Sequence, residues 1–276
     1  MTNNISQRQR VEGPSSVTKA VRLIEALASA DGTVGVTELA RQVDVDKGSV
    51  SRILHTLEAA GFVTQDPATK CYALGLTFVH LSEKALRTVT LRQAARNSLE
   101  RLAKRTGESA HLGVLVQGSV LYIDQAAPTR GAWIDVPIGT LAPSHCTALG
   151  KSLLAFQPDE VQSALRMALD LQPFTRRTLT SVDALSFHLE QVRNLGLSFD
   201  DEEFSVGVRC IAIPILGRDG HVAATIGLSG PSPRMTDEQL SIWGTLIRQE
   251  ANVISAVIGG PVENEDPVPA REIIAG

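Results

Sequence analysis

Six residues within ten positions carry the most readable chemistry of this chain: Lys47, Ser49, Ser51, Arg52, His55 and Thr56. Among them Val50, Ile53, Leu54 and Leu57 recur at i, i+3, i+4 and i+7, the spacing of a helix with one buried face. The six therefore share the opposite face, which holds two cations and no acid before Glu58. Donors and cations near a helix N-terminus suit the major groove of DNA. Arg and Lys reach guanine edges, while Ser, Thr and the helix N-terminus hold phosphate. A solvated face on a purely structural helical domain has the same composition, so the flanking elements decide between the two.

A second set lies further along. His145 and Cys146 are adjacent, the pair that a thiol nucleophile and its base would need. Neighbours in a strand or loop usually point apart, however, and such pairs meet through tertiary contact instead. His111, His145, Cys146 and Cys210 could be recruited as metal ligands, but their spacing matches no metal motif, and no metal is expected. The run Asp200-Asp201-Glu202-Glu203 reads as a solvated acidic loop. No nucleotide-cradling glycine loop and no HExxH run occurs, and no cofactor is implied. Enzyme activity is not expected.

Composition narrows the classes. The 276 residues allow one or two domains, and 43% hydrophobic against 20% charged residues is a globular balance. A net charge of −4 excludes a protein that coats nucleic acid everywhere, but leaves room for one basic face. Residues 1–88 hold ten Lys and Arg against nine Asp and Glu, and the remainder sixteen against twenty-one, so the N-terminal part is the less acidic. Three scattered cysteines form no disulfide framework, which points to a reducing, cytoplasmic compartment. No run approaches the ~18 apolar residues that span a bilayer, and the N-terminus has no apolar signal-peptide centre.

The elements that must position these residues follow from periodicity and punctuation. Residues 1–14 read as a polar arm. Ser15 and Ser16 can cap a helix over 17–30, with Val17, Val21, Ile24 and Leu27 on one face. Thr37 is placed to cap a short helix over 36–43, and Asp46 to cap the third, over 47–60, which Gly61 stops. Two strand-like flanks, 61–65 and 70–74, enclose the turn Asp66-Pro67-Ala68-Thr69. Three helices and a hairpin make a winged helix-turn-helix over 15–75, with Lys70 on the wing. Helical spacing over 75–88 and 91–106 gives a connector over 76–106. The apolar face of 75–88 fits either packing onto its own domain or sharing between two subunits.

Beyond His111 strands and helices mix. Strands are expected at 111–116 and 120–125, with a possible third at 133–136, then at 197–199, 210–216 and 222–228. Helices are expected over 148–155, 158–169, 182–195 and 236–258. This is an α+β domain over 107–260, an antiparallel sheet flanked by helices, followed by a proline-rich tail over 261–276.

Several runs together carry a family likeness: Val36-Thr37-Glu38-Leu39-Ala40-Arg41, the stretch from Ser49 to Val63, Tyr72-Ala73-Leu74-Gly75, and His145-Cys146-Thr147-Ala148-Leu149-Gly150-Lys151-Ser152. Asp200-Asp201-Glu202-Glu203, Gly207-Val208-Arg209-Cys210-Ile211-Ala212 and the stretch from Val222 to Pro231 complete them. In this order the chain resembles the IclR family of bacterial transcription regulators from Thr18 to about Gly259. The resemblance implies a winged helix-turn-helix joined by a helical linker to a GAF-like effector domain. It further implies homodimers, often paired as dimers of dimers, on palindromic double-stranded DNA, and a small organic or aromatic acid as effector. Repression and activation both occur in the family.

Carried over by motif, the effector site would comprise Ala148, Leu149, Asp200, Cys210, Gly227 and Ser229. Free N–H groups at a helix N-terminus attract an anion, and Ser229 adds a donor. Asp200 is better suited to a ligand hydroxyl, or to holding a loop, than to a carboxylate. Members that bind the smallest keto-acids carry serine at both strand positions; here the first is Gly227, and Leu149 is bulkier than their small residue. Both departures argue against a two-carbon ligand. Trp133 can line the pocket for an aromatic acid or be a buried structural residue. The competing function is a ligand sensor that acts through protein partners, its winged helix serving as an interaction module. Salt-dependent DNA binding separates the two.

Overall fold

The computed structural model describes residues 15–88, 90–129 and 133–262. The arm expected over 1–14 and the tail from 263 onward lie outside them. The chain divides into two compact units, Met1–Thr88 and Val89–Gly276.

The first unit runs α1 (Ser15–Ala28), α2 (Val36–Val43), α3 (Lys47–Ala59), β1 (Val63–Gln65), β2 (Tyr72–Leu74) and α4 (Thr77–Thr88). Leu23 and Leu27 of α1, Leu39 and Val43 of α2, and Val50 and Leu54 of α3 meet in one core with Val34, Val63 and Tyr72. Two expectations are corrected. On α1 the inward pair is Leu23 and Leu27, while Val17 and Val21 are exposed; a four-residue step from Leu27 leads to Leu23, and the two valines lie off that stripe. Thr37 does not cap α2. The helix already begins at Val36, with Gly35 in the cap position and no side-chain bond there. The cap on α3 does form: Asp46 Oδ1 accepts from the Ser49 N–H at 2.8 Å.

The hairpin pairs Val63 with Leu74 and Gln65 with Tyr72. Its turn is tied by Asp66, whose Oδ1 accepts from the N–H groups of Ala68 and Thr69 at 2.8 and 3.3 Å. Val34 adds an isolated bridge to Tyr72, which fastens the hairpin to the helices.

The second unit opens with α5 (Thr90–Thr106) and continues β3 (Ser109–Val116), β4 (Ser119–Ala126), β5 (Leu141–Pro143), α6 (Ala148–Ala155), α7 (Asp159–Ala168) and α8 (Val182–Leu195). It ends β6 (Ser198–Asp201), β7 (Val208–Leu216), β8 (Val222–Pro231) and α9 (Asp237–Val257). The sheet is antiparallel in the order β5-β4-β3-β8-β7-β6. This is the expected α+β architecture. Alternation along β7 assigns the two faces. Cys210 and Ala212 pack with Ala148, Leu149 and Leu153 of α6; Ile211, Ile213 and Ile215 point the other way and are fully buried. α5 and α9 are joined by Arg101, whose Nε donates to Glu250 Oε1 at 2.8 Å.

No strand forms at 133–136. That stretch meets the sheet through side chains instead: the Ile134 N–H donates to Ser109 Oγ at 2.9 Å and the Val136 N–H to Gln125 Oε1 at 3.3 Å. The strand beside β4 is β5. Two glycines let α6 sit close. A Cβ on Gly150 would lie 2.3 Å from Ser144 Cα, and one on Gly113 would lie 2.9 Å from the Leu149 side chain.

Candidate functional site

Two regions collect the residues singled out above, one in each unit. In the first, Lys47, Ser51, Arg52, His55 and Thr56 are exposed and Ser49 is half-buried, all on the side of α3 away from Val50 and Leu54. Arg52 Nη2 donates to Ser49 Oγ at 3.1 Å, one turn earlier. The Thr56 hydroxyl is turned inward onto its own helix and donates to the Arg52 carbonyl at 3.0 Å. It is therefore less available than Ser51, and sequence periodicity cannot show this. Thr37 is exposed in the first turn of α2. Lys70 is exposed on the wing with φ 59°, a left-handed residue at the hairpin end.

In the second unit, strand register brings together residues far apart in sequence. Asp200 pairs with Cys210, Cys210 with Ser229, and Ser229 with Ser109, giving one row across β6, β7, β8 and β3. The adjacent row runs Ser198, Ala212, Gly227, His111, Gln125. Directly opposed residues share a face, so both rows lie on the α6 side. Ala148 and Leu149 begin α6, capped by Thr147, whose Oγ1 accepts from the Gly150 N–H at 3.2 Å. Gly227 leaves no room for change: a Cβ there would lie 2.3 Å from the Ile211 carbonyl oxygen. Trp133 is 39% exposed, so the buried structural role considered for it does not hold.

The electrostatics of this face are set by burial. Asp200 is buried and its carboxyl is pushed up to about 7, chiefly because water is excluded; Lys151 opposes the rise and Glu203 adds to it. Its Oδ1 accepts from the N–H groups of Glu203 and Phe204 at 2.7 and 3.3 Å, so it holds the 200–204 loop. The acidic run is thus only partly solvated: Asp200 and Glu203 turn inward, and Glu203 pairs with Lys151, which is wholly buried. Burial also raises the thiols of Cys146 and Cys210 and the phenol of Tyr122. His145 Nε2 lies 3.1 Å from the Gln172 carbonyl oxygen, not against Cys146. A buried thiol held protonated, and a histidine bonded to a backbone carbonyl, do not make a nucleophile and base. Sequence reasoning missed Tyr122, Lys151 and Glu203. A lysine in a helix and a glutamate in an acidic run both read as solvated, and no local signal pairs them.

The Asp200 shift has a testable sign. Its carboxyl moves from 3.8 to about 7 on folding. The stability it contributes is therefore complete below about pH 4 and is lost as pH rises through about 7. Asp200→Asn keeps the oxygen that accepts from Glu203 but cannot titrate. Urea unfolding at pH 5 and pH 8 is expected to show a drop in the wild type, on the order of 2–4 kcal/mol, that the variant lacks. Equal drops in both proteins would show that Asp200 is not the titrating group.

Comparison with known proteins gives a consistent picture. The IclR helix-turn-helix domain model matches residues 16–67, and that for the bacterial transcriptional regulator IclR C-terminal domain matches 83–256. The chain is 34% identical over 257 residues to the HTH-type transcriptional regulator KdgR of Escherichia coli K12, covering 93% of this chain and 97% of that protein. It is 32% identical over 247 residues to the transcriptional repressor IclR of the same strain, covering 89% and 90%. The crystal structure of Thermotoga maritima IclR superposes with a TM-score of 0.67 at 27% identity, covering 88% of this chain and 98% of that one. An IclR homolog from Microbacterium hydrocarbonoxydans, complexed with 4-hydroxybenzoate, shares the fold with a TM-score of 0.73 at 21% identity, over 88% and 99%. With an exposed helix-turn-helix in one unit and a helix-covered sheet in the other, this chain belongs to the IclR family of DNA-binding, effector-controlled transcriptional regulators.

Proposed function

We propose that the protein reads a palindromic operator as a homodimer or dimer of dimers, through the outer face of α3, and releases or tightens on it when a small organic acid binds under α6. The carrying observation is the exposed α3 face, where Lys47, Ser51, Arg52 and His55 stand clear of the core. In this reading Lys47, Arg52 and His55 meet base edges, while Ser49, Ser51 and Thr56 line the same groove. Thr37 and Lys70 meet phosphate on either side. Residues 15–75 form the reading module, 76–106 the connector and 107–260 the sensor.

The effector lies over the row Asp200, Cys210, Ser229, beside Ala148, Leu149 and Gly227, with Trp133 at its margin. Serine and backbone donors suit a carboxylate; the surrounding Val120, Leu149 and Leu153 suit an apolar body. In this reading the protein acts as a regulator and not as an enzyme, in line with the transcriptional regulators to which it is similar. Its three unbridged cysteines suit a reducing, cytoplasmic compartment; among the described residues no helix is long and apolar enough to cross a membrane.

The test is selection of binding sites from random duplex DNA, with affinities then taken at two salt concentrations. An enriched palindrome whose affinity falls steeply with salt is expected. Folded protein that enriches nothing, with or without a panel of aromatic and aliphatic acids, would refute the reading. On the selected operator, Ser229→Ala is expected to leave basal DNA affinity unchanged and to weaken the response to acid, read by calorimetry. Because effector and operator are linked, each must change the other's affinity by the same factor.

A further inference from the structure

His111 is wholly buried on β3, and neither ring nitrogen has a hydrogen-bond partner among the described residues. Buried polar atoms are nearly always paired, and each orphan costs the full desolvation of that group. The ring points to the α6 side of the sheet, beside the Asp200–Cys210–Ser229 row. Tyr122 meets it edge-on, with ring centroids 5.6 Å apart. On β8 its register partner is Gly227, which offers no side chain. On β4 its partner is Gln125, but that amide is engaged elsewhere: Nε2 donates to Asp135 at 2.9 Å, and Oε1 accepts from the Val136 N–H. None of these three neighbours bonds either ring nitrogen.

We infer that His111 reads the effector, its ring N–H donating to the carboxylate of an acid bound against β3 and β8. This rests on the effector site proposed above and adds to it the residue that recognises the charged end. Lys151, the only charged residue of α6, is already paired with Glu203 and cannot serve. Burial pushes the imidazole down to about 4, so the ring is neutral at pH 7, with one donor and one bare nitrogen. A carboxylate beside it supplies the acceptor that the fold withholds. The 134–136 stretch beside this part of the sheet is held by side-chain bonds to Ser109 and Gln125 and not by a strand ladder, which leaves a route to the ring.

A ligand-reading role and a structural role differ in the sign of one measurement. His111→Phe keeps the ring against Tyr122 and removes both orphan nitrogens. If the nitrogens serve a ligand, the ligand-free variant melts higher than wild type, by about 2–4 °C. If a buried water or an internal bond already satisfies them, the variant melts lower. The full-length chain, labelled with ¹⁵N-histidine, is titrated with benzoate, 4-hydroxybenzoate and pyruvate. The His111 nitrogen signals are assigned by their loss in the variant. At least one acid is expected to move those signals and to bind His111→Phe about tenfold more weakly. His111→Asn, which retains one N–H donor, is expected to fall between, and decides the matter if the Phe variant does not fold. An acid that binds wild type and both variants equally, leaving the ring signals in place, overturns the role of His111 while the effector reading stands. If none of the three acids binds wild type, the acid effector itself is refuted, and this inference with it.

Discussion

Replacing Arg52 with alanine is expected to weaken binding to the selected operator by about 1–3 kcal/mol, roughly 5- to 150-fold, and to relax the base preference at one position in each half-site. The reason is geometric. Arg52 is exposed on α3, and the partner seen for its guanidinium is Ser49, a neutral hydroxyl one turn earlier. The fork is therefore oriented along the outer face and makes no ion pair among the described residues, and it can exchange one weak bond for two to a guanine edge. No core contact is lost, so the melting temperature should stay close to that of wild type. Lys70→Ala is the contrast. A phosphate contact on the wing would lower affinity for all sequences alike and reduce the salt slope by about 1, without changing base preference. Arg52→Lys should rescue little, because a point charge cannot bond a guanine edge in bidentate fashion. Unchanged operator affinity in Arg52→Ala would show that the outer face of α3 does not enter the groove.

Replacing Lys151 with methionine should cost the sensor unit a large part of its stability. The Lys151 side chain is fully buried and that of Glu203 is 8% exposed, and the two pair directly. Burial pushes the Glu203 carboxyl up, and the Lys151 ammonium opposes that rise in favour of the charged form. Removing the ammonium strands that charge, and breaking a buried pair from one side costs about 3–5 kcal/mol. For a unit of this size the melting temperature falls roughly 2–4 °C for each kcal/mol. Removing both charges in Lys151→Met/Glu203→Leu should recover much of the loss, since apolar replacements of a buried pair are often neutral. The loop's main-chain bonds survive in both variants, because they run through the backbone of residue 203: its carbonyl accepts from the Thr178 hydroxyl at 2.6 Å, and its N–H donates to Asp200. Differential scanning calorimetry on the single and double variants gives the coupling. A single variant as stable as wild type would mean that the pair is not closed in solution.

The amino-acid sequence by itself determined what is local. The two faces of α3, its Asp46 cap, the hairpin that follows, the helices that became α8 and α9, and the α+β order of the second unit all follow from periods of 3.6 and 2 and from capping residues. Those signals lie within a few residues of what they specify. Where local signals were ambiguous, tertiary packing chose. On α1 two apolar stripes competed, and the core took Leu23 and Leu27 over Val17 and Val21. At 133–136 an apolar, strand-like run joined no strand ladder and was tied down by Ser109 and Gln125 instead.

The candidate effector face was legible only in part. Asp200, Cys210, Gly227 and Ser229 came from family resemblance, not from any period in this chain. That they form adjoining rows is a matter of register between strands far apart in sequence, as in the pairing of Ser109 with Ser229. The Lys151–Glu203 pair spans 52 residues, and His111, with Gly227 on one side and Gln125 on the other, is bonded by neither. Burial, pairing and the want of a partner are properties of the folded neighbourhood. A helix or a turn can be read from its own residues, but the environment of a side chain exists only once distant strands have closed around it.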